Sequence, residues 1–263
     1  MSGTSSGLVQ IEAGGSAGVF EWVALTATGT SALTTWLQDN GFTVSAQADP
    51  VVDTYVSEER HFLAVRLNDT DAATTVREIP PFQFTVQTTE RYYPMAISTI
   101  SAAAETEVLM YLWAAHRQES ANPPTEIIDP QALHRVDGSP SGTNYEELFR
   151  EIIASHGPGT LITEYSSPWE WNVDSDTVPG MEWPDGTPPG IQGDGYLTRL
   201  RTLLSPAEMD FDYTFQDAPS DDEVSQDIWI SAHPEANRRN GVIALAPLAI
   251  FTVWRLAGRR TPL

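Results

Sequence analysis

Cysteine and lysine are both absent from this chain of 263 residues. Without cysteine there is no disulfide, no thiolate nucleophile and no cysteine-ligated metal. All fourteen basic residues are arginine, a bias that high-GC coding explains; adaptation to high salt, with acidic excess and loss of lysine, is the alternative. We expect no nucleic-acid partner, because binding phosphates needs clustered positive charge and the net charge is −22.

The motifs of common catalytic chemistry are missing as well. No Gly-x-Ser-x-Gly elbow is present to support a serine triad. The histidines stand too far apart along the chain for metal-ligand spacing: they are His61, His116, His134, His156 and His233. We therefore expect no cofactor and no enzymatic activity. The alternative is a hydrolase that uses a pair of carboxylates, drawn from Glu164, Glu170 and Asp174.

The sign of the charge changes near residue 238. All 36 acidic residues lie at or before Glu235 together with nine arginines, giving −27, whereas residues 238–263 hold five arginines and no acid, giving +5. Residues 1–7 are small and polar, with no basic residue before an apolar run, so they do not form a secretory signal peptide as they stand. Either this end is cytoplasmic or the native N-terminus lies upstream.

The apolar run at residues 241–257 is the strongest functional signal. Its length is at the short limit of the ~17–25 residues that span a bilayer. Arg259 and Arg260 follow as a cytoplasmic stop, and Arg255 can snorkel to the interface. The alternative is a buried terminal strand or helix of a soluble fold. The predicted membrane segment is formed by Val242, Ile243, Leu245, Leu248, Ile250, Phe251, Val253 and Trp254.

Hydrophobic periodicity predicts an α+β fold that is rich in β-structure, with a mixed or antiparallel sheet and a few short covering helices. Strands at residues 19–25 and 61–67 flank a helix at 31–40, on which Leu33, Trp36 and Leu37 share one face. The most apolar run, residues 107–114, predicts a strand in the middle of the sheet. Further predicted elements are a helix at 49–56, a helix that begins at 143–146 and stops at Gly157, and strands at 82–86, 160–165 and 196–202. Residues 120–142 are predicted to form one long loop, and residues 205–208 to begin a short helical turn.

Three parts are expected along the chain: an N-terminal arm at residues 1–17, which can also form an edge strand, an acidic β-rich domain at 18–235, and the anchor at 238–263. Within the domain, residues 167–195 form an irregular excursion rich in proline and tryptophan. Its tryptophans, Trp169, Trp171 and Trp183, can stack on a sugar or grip a partner, because aromatic residues dominate binding hot spots. The alternative is that they pin the excursion onto the sheet.

The same excursion contains a partial calcium-loop pattern. Asn172, Asp174 and Asp176 place oxygen ligands at alternate positions. Thr177 stands where such a loop needs glycine, and Trp183 where it needs a bidentate glutamate. An irregular calcium site is therefore weighed against solvated carboxylates of a turn.

Seven segments in order resemble the C-terminal half of a bacterial family known as domain of unknown function 2330. The resemblance covers about residues 16–210 and implies an extracytoplasmic protein, usually with a signal peptide and sometimes with a C-terminal anchor, but no activity. The family's N-terminal β-rich half is missing, and serine, proline and tryptophan stand where many members carry a cysteine pair after a motif like Glu164-Tyr165. The segments are 20–27 (FEWVALTA), 33–42 (LTTWLQDNGF), 55–56 (YV), 62–67 (FLAVRL), 79–81 (IPP), 93–97 (YPMAI) and 196–209 (YLTRLRTLLSPAEM).

Together these observations predict a non-enzymatic binding or scaffold protein that faces the cell envelope of a bacterium. The acidic domain lies on the extracytoplasmic side, and the C-terminus contacts the membrane. We expect its partner to be a membrane or envelope protein complex, of which it is an accessory subunit. The alternatives are a carboxylate-based hydrolase or carbohydrate-binding protein that uses the tryptophan-rich region, and a soluble protein of a halophile.

Overall fold

The computed structural model describes residues 8–18, 20–42, 48–67, 88, 90–100, 102, 104–139, 142–171 and 193–224. The chain divides into two compact units, each of which draws on two segments. Unit 1 consists of Met1–Ile79 and Ala96–Ser101, and unit 2 consists of Pro80–Met95 and Ala102–Leu263. Each unit has its own sheet and helix packing and is described by itself.

Unit 1 is a three-stranded antiparallel sheet with two helices. The strands pair in the order β1-β2-β3, and β1 carries an irregularity between Ile11 and Ala13. A 3₁₀ turn at Ala96–Ile100 returns to this unit from later in the chain. The elements are β1 (Val9–Ala17), β2 (Phe20–Ala27), α1 (Thr30–Asp39), α2 (Asp49–Ser57) and β3 (Phe62–Leu67).

An apolar core joins the two helices of unit 1 to one face of its sheet. Leu25 of β2 and Leu33 of α1 are fully buried, and Val52 of α2 belongs to the same cluster. Pro50 stands in the first turn of α2, where its missing N–H costs no helical hydrogen bond. The predicted strand-helix-strand pattern is therefore confirmed, and residues 9–17 add an edge strand to it.

Unit 2 contains two sheets and one α-helix. The main sheet has the order β5-β9-β8-β7, antiparallel except for the short parallel β7–β8 pair, and the small sheet has the antiparallel order β4-β10-β6. The elements are β4 (Arg91–Tyr93), β5 (Thr106–Ala114), β6 (Gln118–Ser120), β7 (Thr125–Glu126), α3 (Tyr145–His156), β8 (Leu161–Trp171), β9 (Gly193–Leu204) and β10 (Tyr213–Asp217).

The two faces of the main sheet pack against different neighbours. On one face Met110, Leu200 and Leu204 share a core with Tyr213 and Phe215 of the small sheet. On the other face, α3 is the covering element, and its packing core is Ile128, Tyr145, Phe149 and Ile162. Adjacent residues of a strand point to opposite faces, so Leu161 belongs to the first core and Ile162 to the second.

The prediction that residues 107–114 lie in the middle of the sheet is wrong. Among the described strands, β5 lies at one edge of the main sheet and pairs only with β9. An apolar strand sequence indicates that both faces of the strand are covered. The position of the strand in the sheet depends instead on which other strands pair with it. The sheet's middle is instead taken by β8 and β9, which carry Glu164, Arg199 and Arg201.

Several smaller predictions can be compared directly. Helix α3 ends before Gly157, as predicted, where φ is +98°; its N-cap is Asn144, which makes no side-chain capping bond. The predicted turn at residues 205–208 is confirmed, with Ser205 and Glu208 forming a capping box. Residues 120–142, predicted as one long loop, contain β7 and a short 3₁₀ turn. The predicted strand at 82–86 lies outside the described residues.

The predicted α+β class with much β-structure is confirmed in its coarse form, with three sheets and three short α-helices in the part of the chain that the structure describes. The hydrophobic periodicity predicts one mixed or antiparallel sheet, whereas the described residues form three sheets. No helix within the described ranges is both long enough and apolar enough to cross a bilayer. Residues 241–257 lie outside those ranges.

Candidate functional site

A group of charged side chains lies on the α3 side of the main sheet. Arg199 and Arg201 occupy alternate positions of β9, so both side chains project to the same face. Across the ladder, Arg199 is paired with Tyr111 of β5, and Arg201 with Leu109. The register thus places two guanidinium groups side by side under one helix.

Glu164 reaches both arginines because strand β8 is irregular at that point. Ile162 pairs with Arg201 and Thr163 with Leu200, but the register shifts before Tyr165, which pairs with Arg199. Such a bulge adds one residue and redirects a side chain. The Glu164 carboxylate lies 3.1 Å from Arg199 Nε and 3.5 Å from Arg201 Nη1, and it accepts a hydrogen bond from Tyr145 Oη.

Arg201 is the centre of this arrangement, which we call the Arg201 network. Its side chain is only 14% exposed. Its Nε donates to Glu107 Oε1 at 2.6 Å, and its Nη1 and Nη2 donate to the Glu146 carboxylate at 2.9 and 3.3 Å. The guanidinium carbon also stands 4.2 Å from the centre of the Phe149 ring, within the range of cation–π attraction. Glu107 lies on β5 and Glu146 on α3, so Arg201 links three elements.

The electrostatics of the network keep Arg201 charged and Tyr145 neutral. Burial acts to lower the pKa of Arg201, but hydrogen bonding to Glu146 and the charges of Glu164 and Glu107 outweigh it, and the pKa is raised. Burial raises the pKa of Tyr145, and the neighbouring Glu164 charge raises it further. The Tyr145 hydroxyl therefore serves as a hydrogen-bond donor to Glu164 and not as an acid.

This geometry favours a structural use of the carboxylates over a catalytic one. A glycosidase needs one carboxylic acid free to give a proton and one carboxylate free to attack or to activate water. Both oxygens of Glu164 are engaged by Tyr145, Arg199 or Arg201, and Glu107 and Glu146 are engaged by Arg201. The network ties α3 and β5 to the middle of the sheet.

The structure places two of the three predicted tryptophans at the end of a strand. Trp169 and Trp171 are in β8, in register with Gly195 and Gly193 of β9. A Cβ added to Gly195 would stand 2.6 Å from the indole ring of Trp113, on the neighbouring strand β5. Where β9 begins, after the tryptophan-rich excursion, the Trp113 indole therefore lies close to the backbone of Gly195. Trp183 lies outside the described residues.

Glu170, one of the candidate carboxylates, lies in β8 in register with Asp194 of β9. Asn172, Asp174 and Asp176 lie outside the described residues, as do residues 242–254 of the predicted membrane segment and His233. Among the residues that are described, no group of three or more histidine, aspartate or glutamate side chains is arranged to hold a metal ion.

The Arg201 network was not predicted from the sequence, although the alternation of arginine and leucine in residues 199–201 indicates a polar face on this strand. Residues 196–202 read as a strand in which Arg199 and Arg201 alternate with Leu200. Charged residues at alternate positions of a strand usually face solvent. The pattern predicts a polar face, but it contains no information that a helix with Glu146 covers that face or that a bulge aims Glu164 at it.

The family model for an uncharacterized protein conserved in bacteria (DUF2330) matches residues 2–216. The chain belongs to this family. The match confirms the resemblance and extends it beyond the expected range of about 16–210, so that it covers most of the chain. No curated protein and no solved structure matches the chain.

Proposed function

We propose that this protein is a non-enzymatic binding or scaffold protein of the bacterial cell envelope, anchored by its C-terminus and serving as an accessory subunit of a larger membrane complex. The observation that carries the proposal is the apolar run at residues 241–257. It follows the acidic domain at residues 18–235, which we call the body, and Arg259 and Arg260 come directly after it. Such a run with a positive flank is the pattern of a membrane segment with a cytoplasmic end.

The described residues support the non-enzymatic part of the proposal. The carboxylates that lie closest to basic groups in the main sheet are committed to the Arg201 network. Arg259 and Arg260 support an outward position of the acidic domain, because the positive-inside rule assigns an arginine-rich flank to the cytoplasm. A body of this charge also remains soluble beside a membrane.

Membrane fractionation of the bacterial host tests the anchor. The full chain is expected in the membrane fraction, resistant to alkaline carbonate and released by detergent. A chain that ends at residue 237 is expected in the soluble fraction. As a matched control, L245R and L248R together should release the full-length chain, because each arginine at the centre of a span costs about 2.5–3.5 kcal/mol of insertion free energy. A full chain that stays soluble without detergent would refute the anchor.

Orientation and partnership need separate measurements. Protease added to spheroplasts should digest the acidic body while a tag after residue 263 stays protected. Crosslinking in intact cells should join the body to a membrane protein that co-purifies at fixed stoichiometry in detergent. A body that is protected in spheroplasts and digested only after lysis would place it in the cytoplasm and favour the soluble alternative.

A second candidate function is polysaccharide binding by the tryptophan-rich region. The observation that favours it is the register of β8, which brings Trp169 and Trp171 opposite two glycines at the end of the strand pair. Aromatic rings stack on sugar faces, and the two tryptophans stand two residues apart on one strand. Affinity electrophoresis in gels that contain soluble envelope polysaccharides tests it: W169A and W171A should abolish any retardation, whereas W36A, in α1, should not.

A further inference from the structure

The segment that follows β10 is held against unit 2 at both of its ends. We call residues 218–224 the strap. The Ala218 N–H donates to the carbonyl of Arg117 at 2.8 Å. At the other end, Val224 pairs with Ser166 of β8 through two backbone hydrogen bonds of 2.8 and 2.9 Å. The strap is the last described part of the chain, and it fixes the point from which residues 225–263 continue.

Asp221 makes the central contacts of the strap. Its Oδ2 lies 2.9 Å from Nδ1 of His116, and its Oδ1 accepts the backbone N–H of Arg117 at 2.9 Å. Its carbonyl accepts a hydrogen bond from Tyr196 Oη at 3.0 Å. Three separate contacts from the β5–β6 connection and from β9 therefore converge on one residue.

The strap and the surface beneath it carry opposite charges. Asp221, Asp222 and Glu223 follow one another in the strap, and Asp217 precedes it. The basic groups that face these acids are His116, Arg117 and Arg91. Arg91 is occupied by Asp217 at 2.5 Å, and Arg117 donates to the carbonyl of Asp222 at 3.4 Å. His116 is the one basic group among these three whose charge changes near neutral pH.

We propose that the strap is a pH-responsive clamp, which the protonated form of His116 closes and the neutral form loosens. When His116 is charged, an imidazolium–carboxylate pair adds to the backbone bonds of Ala218 and Val224. When it is neutral, the contact with Asp221 loses the positive charge of the imidazolium, and the repulsion among Asp217, Asp221, Asp222 and Glu223 is less compensated.

The direction of both titrations agrees with this geometry. Hydrogen bonding to Asp221 and its charge raise the pKa of His116, and Asp217 adds to this while Arg91 opposes it. Hydrogen bonding to His116 lowers the pKa of Asp221, and the Arg117 N–H lowers it further. The His116 contribution is complete below the ordinary histidine pKa and is lost as pH rises through the raised value. The Asp221 contribution is complete above the ordinary aspartate pKa and is lost as pH falls through the lowered value.

Hydrogen exchange of the full chain in detergent, measured by mass spectrometry from pH 5.5 to 8.5 and corrected for intrinsic exchange rates, tests the clamp. Peptides that contain Ala218 and Val224 should lose protection by a fewfold across this range, while a peptide from α3 should not. The effect is modest because the His116 side chain is 56% exposed, and exposed ion pairs contribute little.

Two variants distinguish the clamp from general loosening. H116Q keeps a neutral hydrogen-bond donor, so strap protection should become independent of pH and stay at the high-pH level. D221N should reduce protection at every pH. H134Q is the control, because His134 is exposed and its Nδ1 lies 3.3 Å from the neutral carbonyl of Ala132; it should behave like the wild type. The proposal would be overturned if strap protection in the wild type did not change with pH, or if H116Q kept the pH dependence of the wild type.

Discussion

The two units fasten helices to sheets in different ways. In unit 1, α1 and α2 meet the sheet through an apolar core in which Leu25 and Leu33 are fully buried. In unit 2, α3 meets the main sheet through Phe149 and Ile162, but also through the Arg201 network. The first contact depends on removing apolar surface from water, which is non-directional. The second depends on hydrogen-bond geometry, so it specifies the position of α3 on the sheet more narrowly.

The largest expected effect comes from breaking the apolar contact. L33A removes a fully buried side chain and should lower the free energy of unfolding by about 3–5 kcal/mol, because the loss of buried methylenes adds to the cost of a cavity. Urea unfolding followed by circular dichroism measures it. L63A is the matched control, since Leu63 is 37% exposed, and it should cost less than about 1 kcal/mol. Equal losses for the two variants would contradict the assigned core.

Breaking the ionic contact should have the next largest effect. E164Q removes the charge shared by Arg199 and Arg201 in a site where the Glu164 side chain is 11% exposed. Removing one partner of a buried ion pair leaves the other charge uncompensated, so we expect a loss of about 2–4 kcal/mol in urea unfolding. E147Q, at an exposed position of α3, should change the stability by less than about 0.5 kcal/mol. If E164Q left the free energy of unfolding unchanged, the network would not stabilise the position of α3.

A smaller loss is expected where the main sheet depends on close backbone approach. G195A places a Cβ 2.6 Å from the Trp113 indole, and the overpacking should cost about 1–3 kcal/mol. A double-mutant cycle with W113L sharpens this prediction. The cost of G195A should fall in the W113L background, since residues in contact couple energetically. Additive losses would mean that Trp113 and Gly195 do not touch.

The smallest expected effect is the loss of the Asp217 contribution to stability at low pH. Hydrogen bonds from Arg91 and Gln118 lower the pKa of Asp217, so its stabilising contribution is present above the ordinary aspartate pKa and is lost as pH falls through the lowered value. Asp217 is 47% exposed, which limits the contribution to below about 1 kcal/mol. Comparing unfolding at pH 2.5 and pH 6 in wild type and D217N measures it. The two proteins should differ at pH 6 and converge at pH 2.5; a constant difference would contradict the pairing.

The elements that the sequence predicted well are those whose local pattern is decisive. The spacing of Leu33, Trp36 and Leu37 predicted α1, and the run Ser205-Pro206-Ala-Glu208 predicted the turn after β9, where the structure adds a capping box. Residues 107–114 were predicted to lie in the middle of the sheet, but β5 lies at an edge among the described strands, because strand pairing is a long-range property that an apolar run does not encode. In the Arg201 network, Arg201 contacts acidic residues that lie 37, 55 and 94 positions before it in the chain.

The amino-acid sequence by itself determined the acidic body, the family, the α+β class and the apolar, arginine-flanked run at residues 241–257. Composition and periodicity suffice for these because they depend on single residues or on neighbours within one helix turn. Only the tertiary structure decided that Glu164 forms ion pairs with two arginines and that Asp221 forms a hydrogen bond with His116. Those contacts depend on a bulge in β8 and on the path of the strap after β10, and both are set by long-range pairing that local sequence does not encode.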